Sequence, residues 1–211
     1  MANDIKTRVP LPACNFDRHF INQLWDNFGK DGEFTWQATV GIGGDLLGKQ
    51  EKRPEQVVTD LEELISMLES LPRIDSLNIA VDIPNRGIIS IIFKNFTPAG
   101  GILAVVSLTK EWGPAKTESL KALFAEAKVD FESKLYSWVG FGVVQSVIPL
   151  TIAFIVVMAA AAFIPSEIRH SGWLGWITAV TLICTLRLAY TISDRMIIYV
   201  LKNYPYIRWI S

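Results

Sequence analysis

The sequence predicts an α+β domain, a small antiparallel sheet covered by helices, followed by two transmembrane α-helices. Three observations carry that prediction. Half of the 211 residues are apolar and only 19% are charged, with a mean hydropathy of +0.30, high for a chain that lives in water. The excess sits at the C-terminal end: residues 135–166 are a run of 32 without Asp, Glu, Lys or Arg, and 171–186 are a second uncharged run. Ahead of both, helical and strand-like hydrophobic periods alternate with turn residues. A hydrocarbon core about 30 Å thick is crossed by roughly 20 apolar residues of helix, so the first run spans with residues to spare. The second reaches that length if Arg187 is tolerated near its inner end.

After a proline-punctuated start, Asn15 is placed to cap a helix that runs to Gly29, with Phe16, Phe20, Ile21, Leu24, Trp25 and Phe28 as one buried stripe. Its polar face holds little Lys or Arg, which favours a core helix over a membrane-surface one. Residues 34–42 read as a strand that turns at Gly41-Ile42-Gly43-Gly44, and 49–54 as a loop or edge strand. Thr59, with Glu62 three residues on, forms a capping box for a helix whose apolar face is Leu61, Leu64, Ile65, Leu68 and Leu71. Pro72 stops that helix. The runs 77–83, 87–95 and 101–109, separated by turn residues, read as a three-stranded antiparallel meander. Pro114 opens a third helix, and 115–136 contain neither Gly nor Pro, so this helix is expected to run unbroken into the first span. The organisation is then a cytosolic sensor domain at 1–113, a connecting helix at 114–137, and a two-helix transmembrane region with a cytoplasmic tail at 138–211.

Charge sets the expected topology. Lys121, Lys128 and Lys134 precede the first span, and Arg187, Arg195, Lys202 and Arg208 lie within or beyond the inner half of the second, whereas 165–172 hold Arg169 as their single Lys or Arg. The positive-inside rule puts both termini in the cytoplasm. Trp138, Trp173 and Trp176 fit interfacial anchors.

Charged residues in a span mark function by default. Arg187 and Asp194 share a helix face, a candidate pore or inter-subunit surface, with snorkelling to the headgroups as the plainer explanation. Thr178, Thr181 and Thr185 stripe the other side and suit a pore lining or, more simply, helix packing. In the first span Gln145 is the strongly polar side chain, near Pro149. Two helices cannot enclose a conduction path, so any pore requires a ring of copies. In the soluble part Lys49, Lys52 and Arg53 are the densest basic cluster; together with Trp36 they suit a phosphate, a nucleotide or a short single strand of DNA, with a solvated loop as the plainer explanation.

Other chemistry is excluded. Gly43 to Lys49 matches G-x-x-x-x-G-K, but Gln50 stands where Ser or Thr would hold magnesium. Two histidines far apart give no metal site, and two cysteines, Cys14 and Cys184, give no disulfide framework. His19 near Cys14 lacks a third group to orient it, so no catalytic constellation stands out. The chain is expected to be no enzyme and to need no cofactor. With no apolar N-terminal segment, no secretory signal is expected.

In layout, with 114–136 leading into the first span at 138–164 and the second at 173–193, the chain resembles small bacterial antiviral effectors with two spans, Hailong effectors most of all. That resemblance implies a bacterial inner-membrane protein whose cytosolic part is held in check by a DNA oligomer and whose release compromises the membrane. The net −4 of residues 1–134 weighs against a polyanionic ligand. The function expected is an oligomeric effector or ion channel gated through its cytosolic domain, with a membrane-anchored binding or scaffold module as the alternative.

Overall fold

Residues 5–11 alternate inward Ile5, Thr7, Val9 and Leu11 with outward Lys6, Arg8 and Pro10, the period of a strand with one face on a core. The computed structural model, which describes residues 5–42, 55–71, 74–95, 100–163 and 174–210, makes this segment the edge strand β1 (Ile5–Leu11). Pro10 is tolerated because an edge strand need not donate on its open side. The expected meander is therefore the middle of something larger. Its strands β5 (Ile74–Ile83), β6 (Gly87–Lys94) and β7 (Gly101–Ser107) belong to a six-stranded antiparallel sheet that also holds β1, β3 (Thr35–Ile42) and β4 (Gln56–Val58), in the order β1-β7-β6-β5-β3-β4. The β5–β6 hairpin turns at Asn85 and Gly87, both with positive φ, and Gly87 lies so close to Val106 that a Cβ would strike its carbonyl oxygen.

Helices α1 (Arg18–Gly29) and α3 (Trp112–Glu126) cover one face of that sheet. Phe16, Phe20, Phe93 and Phe124 meet there, with successive ring centroids 5.1 to 5.7 Å apart. Helix α2 (Leu61–Ser70) buries Leu64, Ile65 and Leu68. Two caps fall later than the sequence suggests. Asp17, not Asn15, caps α1, its carboxylate accepting from Phe20 N at 2.6 Å, because Asn15 and Phe16 are drawn into a strand of their own. Asp60, not Thr59, caps α2 by accepting from Glu63 N at 2.9 Å.

The connecting helix does not run unbroken. It ends at Glu126, the chain leaves helical geometry over 127–129, and α4 (Asp130–Leu135) follows before a second break at 136–137. No Gly or Pro is responsible. The Val129 N–H donates to Ala13 O at 2.9 Å and Ala127 O accepts from Asn15 N at 3.0 Å, so tertiary partners outcompete the helical ones.

The chain forms two compact units, Met1–Ser137 together with Tyr204–Ser211, and Trp138–Asn203. The tail thus belongs to the first unit rather than to the one that holds the two long apolar helices. The second unit comprises α5 (Trp138–Gly142), a π-helical turn (Val143–Val147), α6 (Ile148–Ala162) and α7 (Leu174–Asn203). Two of its stretches are long and apolar enough to cross a membrane, Trp138–Ala159 and Trp176–Asn203. Their large apolar side chains, among them Phe154, Ile155, Leu182, Ile183 and Leu186, face outward. The result is an α+β domain followed by two candidate spans.

Candidate functional site

The first unit holds the chain on both sides of the helical hairpin in one place. Strand β2 (Cys14–Phe16) is its axis. On one side Cys14 bridges Lys128 in antiparallel fashion, and the Ala13 N–H donates to Ser133 Oγ of α4 at 3.1 Å. On the other side β2 pairs in parallel with β8 (Ile207–Trp209), from Cys14 opposite Ile207 to Phe16 opposite Trp209. Two backbone bonds extend that pairing, Cys14 N to Tyr206 O at 3.0 Å and Ile210 N to Phe16 O at 2.7 Å. One short strand therefore ties the outgoing chain to the returning one.

Below this layer the tail plugs into the core. Tyr206 Oη donates to Leu11 O at 2.5 Å, and its ring lies 5.1 Å from Tyr136 and 6.2 Å from Phe93. Gly101 makes the room: a Cβ there would come within 2.9 Å of the Tyr206 ring. The Ile207 N–H donates to Asn95 Oδ1 at 3.1 Å, while the Asn95 amide donates to Ile74 O and its N–H to Asp75 O at 2.9 Å. Phe131 of α4 meets Tyr204 at 5.2 Å. Burial pushes the Tyr206 phenol up to about 12. Burial likewise pushes the Cys14 thiol up to about 12, and Cys14 Sγ donates to Pro12 O, so this cysteine is no nucleophile at neutral pH.

A polar cleft of about 380 Å³ opens where α3 breaks, lined by Asn15, Asp17, His19, Gln23, Glu126 and Lys128 among others. Beyond it, Lys116 is buried in α3 and contacts Asp31 Oδ2 at 2.6 Å and Asn27 O at 2.5 Å, and the Trp112 indole donates to Asp31 Oδ1 at 2.8 Å. Burial raises the Asp31 carboxyl, but the hydrogen bonds from Lys116 and Trp112 and the Lys116 charge outweigh it and hold the group below its usual range.

Of the residues singled out from sequence, Trp36, Gln145, Thr178, Thr181, Thr185, Arg187 and Asp194 lie among the described ones. Lys49, Lys52 and Arg53 lie outside the described residues. Trp36 stands edge-on to Trp25, with centroids 4.6 Å apart, so its ring is occupied in packing. In the second unit Thr185 is buried and its hydroxyl donates back to Thr181 O at 2.8 Å. Ala189 and Ser193, four and eight residues on, are buried as well, so the three share one seam of α7. Thr178 is exposed. Gln145 acts through its backbone: Pro149, four residues on, has no N–H to give, and Ser193 Oγ donates to Gln145 O at 2.6 Å instead. Arg187 is exposed, its carbonyl accepting from Thr191 Oγ1 at 3.0 Å, and no ion pair joins it to Asp194 among the described residues.

No family model and no curated protein matches the chain. Two archaeal structures show a faint likeness. A conserved hypothetical protein from Pyrococcus furiosus is 8% identical, with a TM-score of 0.22, over 62% of this chain and 99% of its own. The PH1012 protein from Pyrococcus horikoshii is 12% identical, with a TM-score of 0.23, over 61% and 93% respectively. Neither likeness is close enough to bear on fold or activity.

Proposed function

We propose that the chain is an oligomeric membrane effector, an ion channel or membrane-disrupting protein gated through its α+β domain. The observation that supports this is the double attachment of the hairpin. A domain kept at a membrane only for localisation needs one tether, and the second could end freely. Here the outgoing segment at 127–136 and the returning segment at 204–210 share the strand Cys14–Phe16 and the Tyr136–Tyr206 contact. A rearrangement of that layer acts on both apolar helices at once.

The same attachment supports a two-pass topology. A folded unit assembled from both flanks of the hairpin is consistent with an even number of crossings, and the Lys and Arg distribution favours the cytoplasmic side for it. The cleft lined by Asp17, Glu126 and Lys128 offers a polar cytosolic ligand direct access to the break in α3. Two crossing helices per copy make a pore only in a ring, and the resemblance to antiviral effectors gives the setting, the bacterial inner membrane.

The test is conductance of the full-length chain in a planar bilayer, beside an Arg187→Leu, Asp194→Leu variant. Discrete current steps, altered in the variant, are the expected result. A bilayer silent before and after addition of cytosolic extract would overturn the channel and leave a membrane-anchored binding module.

A further inference from the structure

The sheet has a second face, opposite the phenylalanine cluster, and none of its described side chains is buried. Across the strands the register sets three rows: Lys6, Val106, Ile88, Asp82 and Thr35; Arg8, Ala104, Ser90, Ala80 and Gln37; and Pro10, Ile102, Ile92, Asn78 and Thr39. The large apolar side chains of these rows, Val106, Ile88, Ile102 and Ile92, stand on β7 and β6, with the small Ala104 and Ser90 between them; Val57, opposite Thr39 on the far edge strand β4, is a separate exposed apolar side chain on this face. Ile88 is 48% exposed. On β3 the same face is polar throughout. The apolar patch is therefore centred between β7 and β6, not on the middle of the sheet.

We propose that this face is the interface with a second copy of the chain. Sheets pack face to face about 10 Å apart with their strands roughly aligned. A two-fold axis parallel to the strands and centred on the patch exchanges β7 with β6 and β1 with β5. Val106 then meets the other copy's Ile88, Ile102 its Ile92, and Ala104 its Ser90. At the rim Lys6 meets the other copy's Asp82, and the reverse pair forms on the opposite side. The apolar centre fixes the axis, and opposite charges then fall together without further choice. An axis across the strands would instead set the basic β1 edge, Lys6 and Arg8, against itself. Both Lys6 and Asp82 are exposed, and neither has an ion-pair partner among the described residues. The inference rests on the oligomeric part of the proposed function: absence of wild-type capture would sink both, whereas capture indifferent to the charge changes sinks this interface alone and a silent bilayer sinks the channel alone.

The experiment co-expresses two differently tagged full-length copies and measures their co-purification in detergent. Wild-type copies are expected to capture each other. Lys6→Glu in both copies, or Asp82→Lys in both, is expected to cut capture about tenfold, since each creates two like-charge contacts. Lys6→Glu in one copy with Asp82→Lys in the other restores both pairs and is expected to return capture to within about twofold of wild type. That recovery also shows that each variant folds. Absence of wild-type capture, capture indifferent to the single changes, or failure of the mixed pair to recover would each overturn the proposal.

Discussion

The Tyr136 and Tyr206 rings meet nearly perpendicular, 5.1 Å between centroids. One residue stands just before the first apolar helix and the other just after the second, 70 positions apart in sequence. Tyr206 anchors the contact by donating to Leu11 O. Removing that donor leaves a buried carbonyl unsatisfied, so Tyr206→Phe is expected to destabilise the domain by about 1–2 kcal/mol while keeping the ring contact. Denaturant unfolding followed by tryptophan fluorescence reads this, and an unchanged midpoint would contradict it.

Gly101→Ala is expected to cost more, about 2 kcal/mol or above, because its methyl group meets Tyr206, Leu11 and Phe93 at once. Tyr206→Leu in the same chain vacates part of that space. A double-mutant cycle should show the two changes to be strongly non-additive; simple additivity would place the clash elsewhere.

Much of this was legible from residue patterns, and the omissions have physical causes. Both amphipathic helices, strand 34–42 and the meander follow from periods of 3.6 and 2. Strand β1 was masked by Pro10 and Pro12, which read as punctuation until an edge position makes Pro10 harmless. The break at 127–129 carries no local signal, since Ala127, Lys128 and Val129 are compatible with helix and are pulled out by Ala13 and Asn15, more than a hundred residues away. The tail did carry a signal that charge concealed: 204–210 is rich in aromatic and β-branched residues, but Arg208 and the preceding Lys202 suggested a solvated cytoplasmic end. The threonine stripe was visible, but whether a stripe packs or lines a pore depends on its neighbours, and the neighbours of a helix are not written in its own spacing.

In the hairpin, Ser193→Ala removes the donor to Gln145 O and is expected to destabilise the helix pair by about 1 kcal/mol. Pro149→Ala supplies the missing backbone N–H and is expected to make Ser193 dispensable. Thermal unfolding of the four variants of this cycle in detergent checks the coupling, and an equal loss from Ser193→Ala with and without Pro149 would contradict it.

Acid sensitivity should trace to Asp31. Its folded carboxyl titrates below the unfolded value of 3.8, so its contribution is complete above that value and is lost as pH falls through the lowered folded value. Asp31→Asn is expected to flatten the stability profile in that range, and unfolding midpoints across the acid limb measure it. At the alkaline end the signs reverse. Cys14 and Tyr206 are raised from 9.0 and 10.0 to about 12, so stability is full below pH 9 and falls as pH rises from there toward 12. Cys14→Ala should remove the earlier part of that decline.

Coupling of the α+β domain to both apolar helices through the shared strand layer, as proposed, is read by ion efflux from liposomes. Ile207→Pro removes the N–H that binds Asn95 Oδ1 and releases the returning chain, while leaving every residue of the second unit in place. The predicted result is potassium efflux through the wild-type protein, and a rate at least about fivefold different for Ile207→Pro, equivalent to roughly 1 kcal/mol of gating equilibrium. Equal efflux from a folded variant, or none from either protein, would contradict the claim.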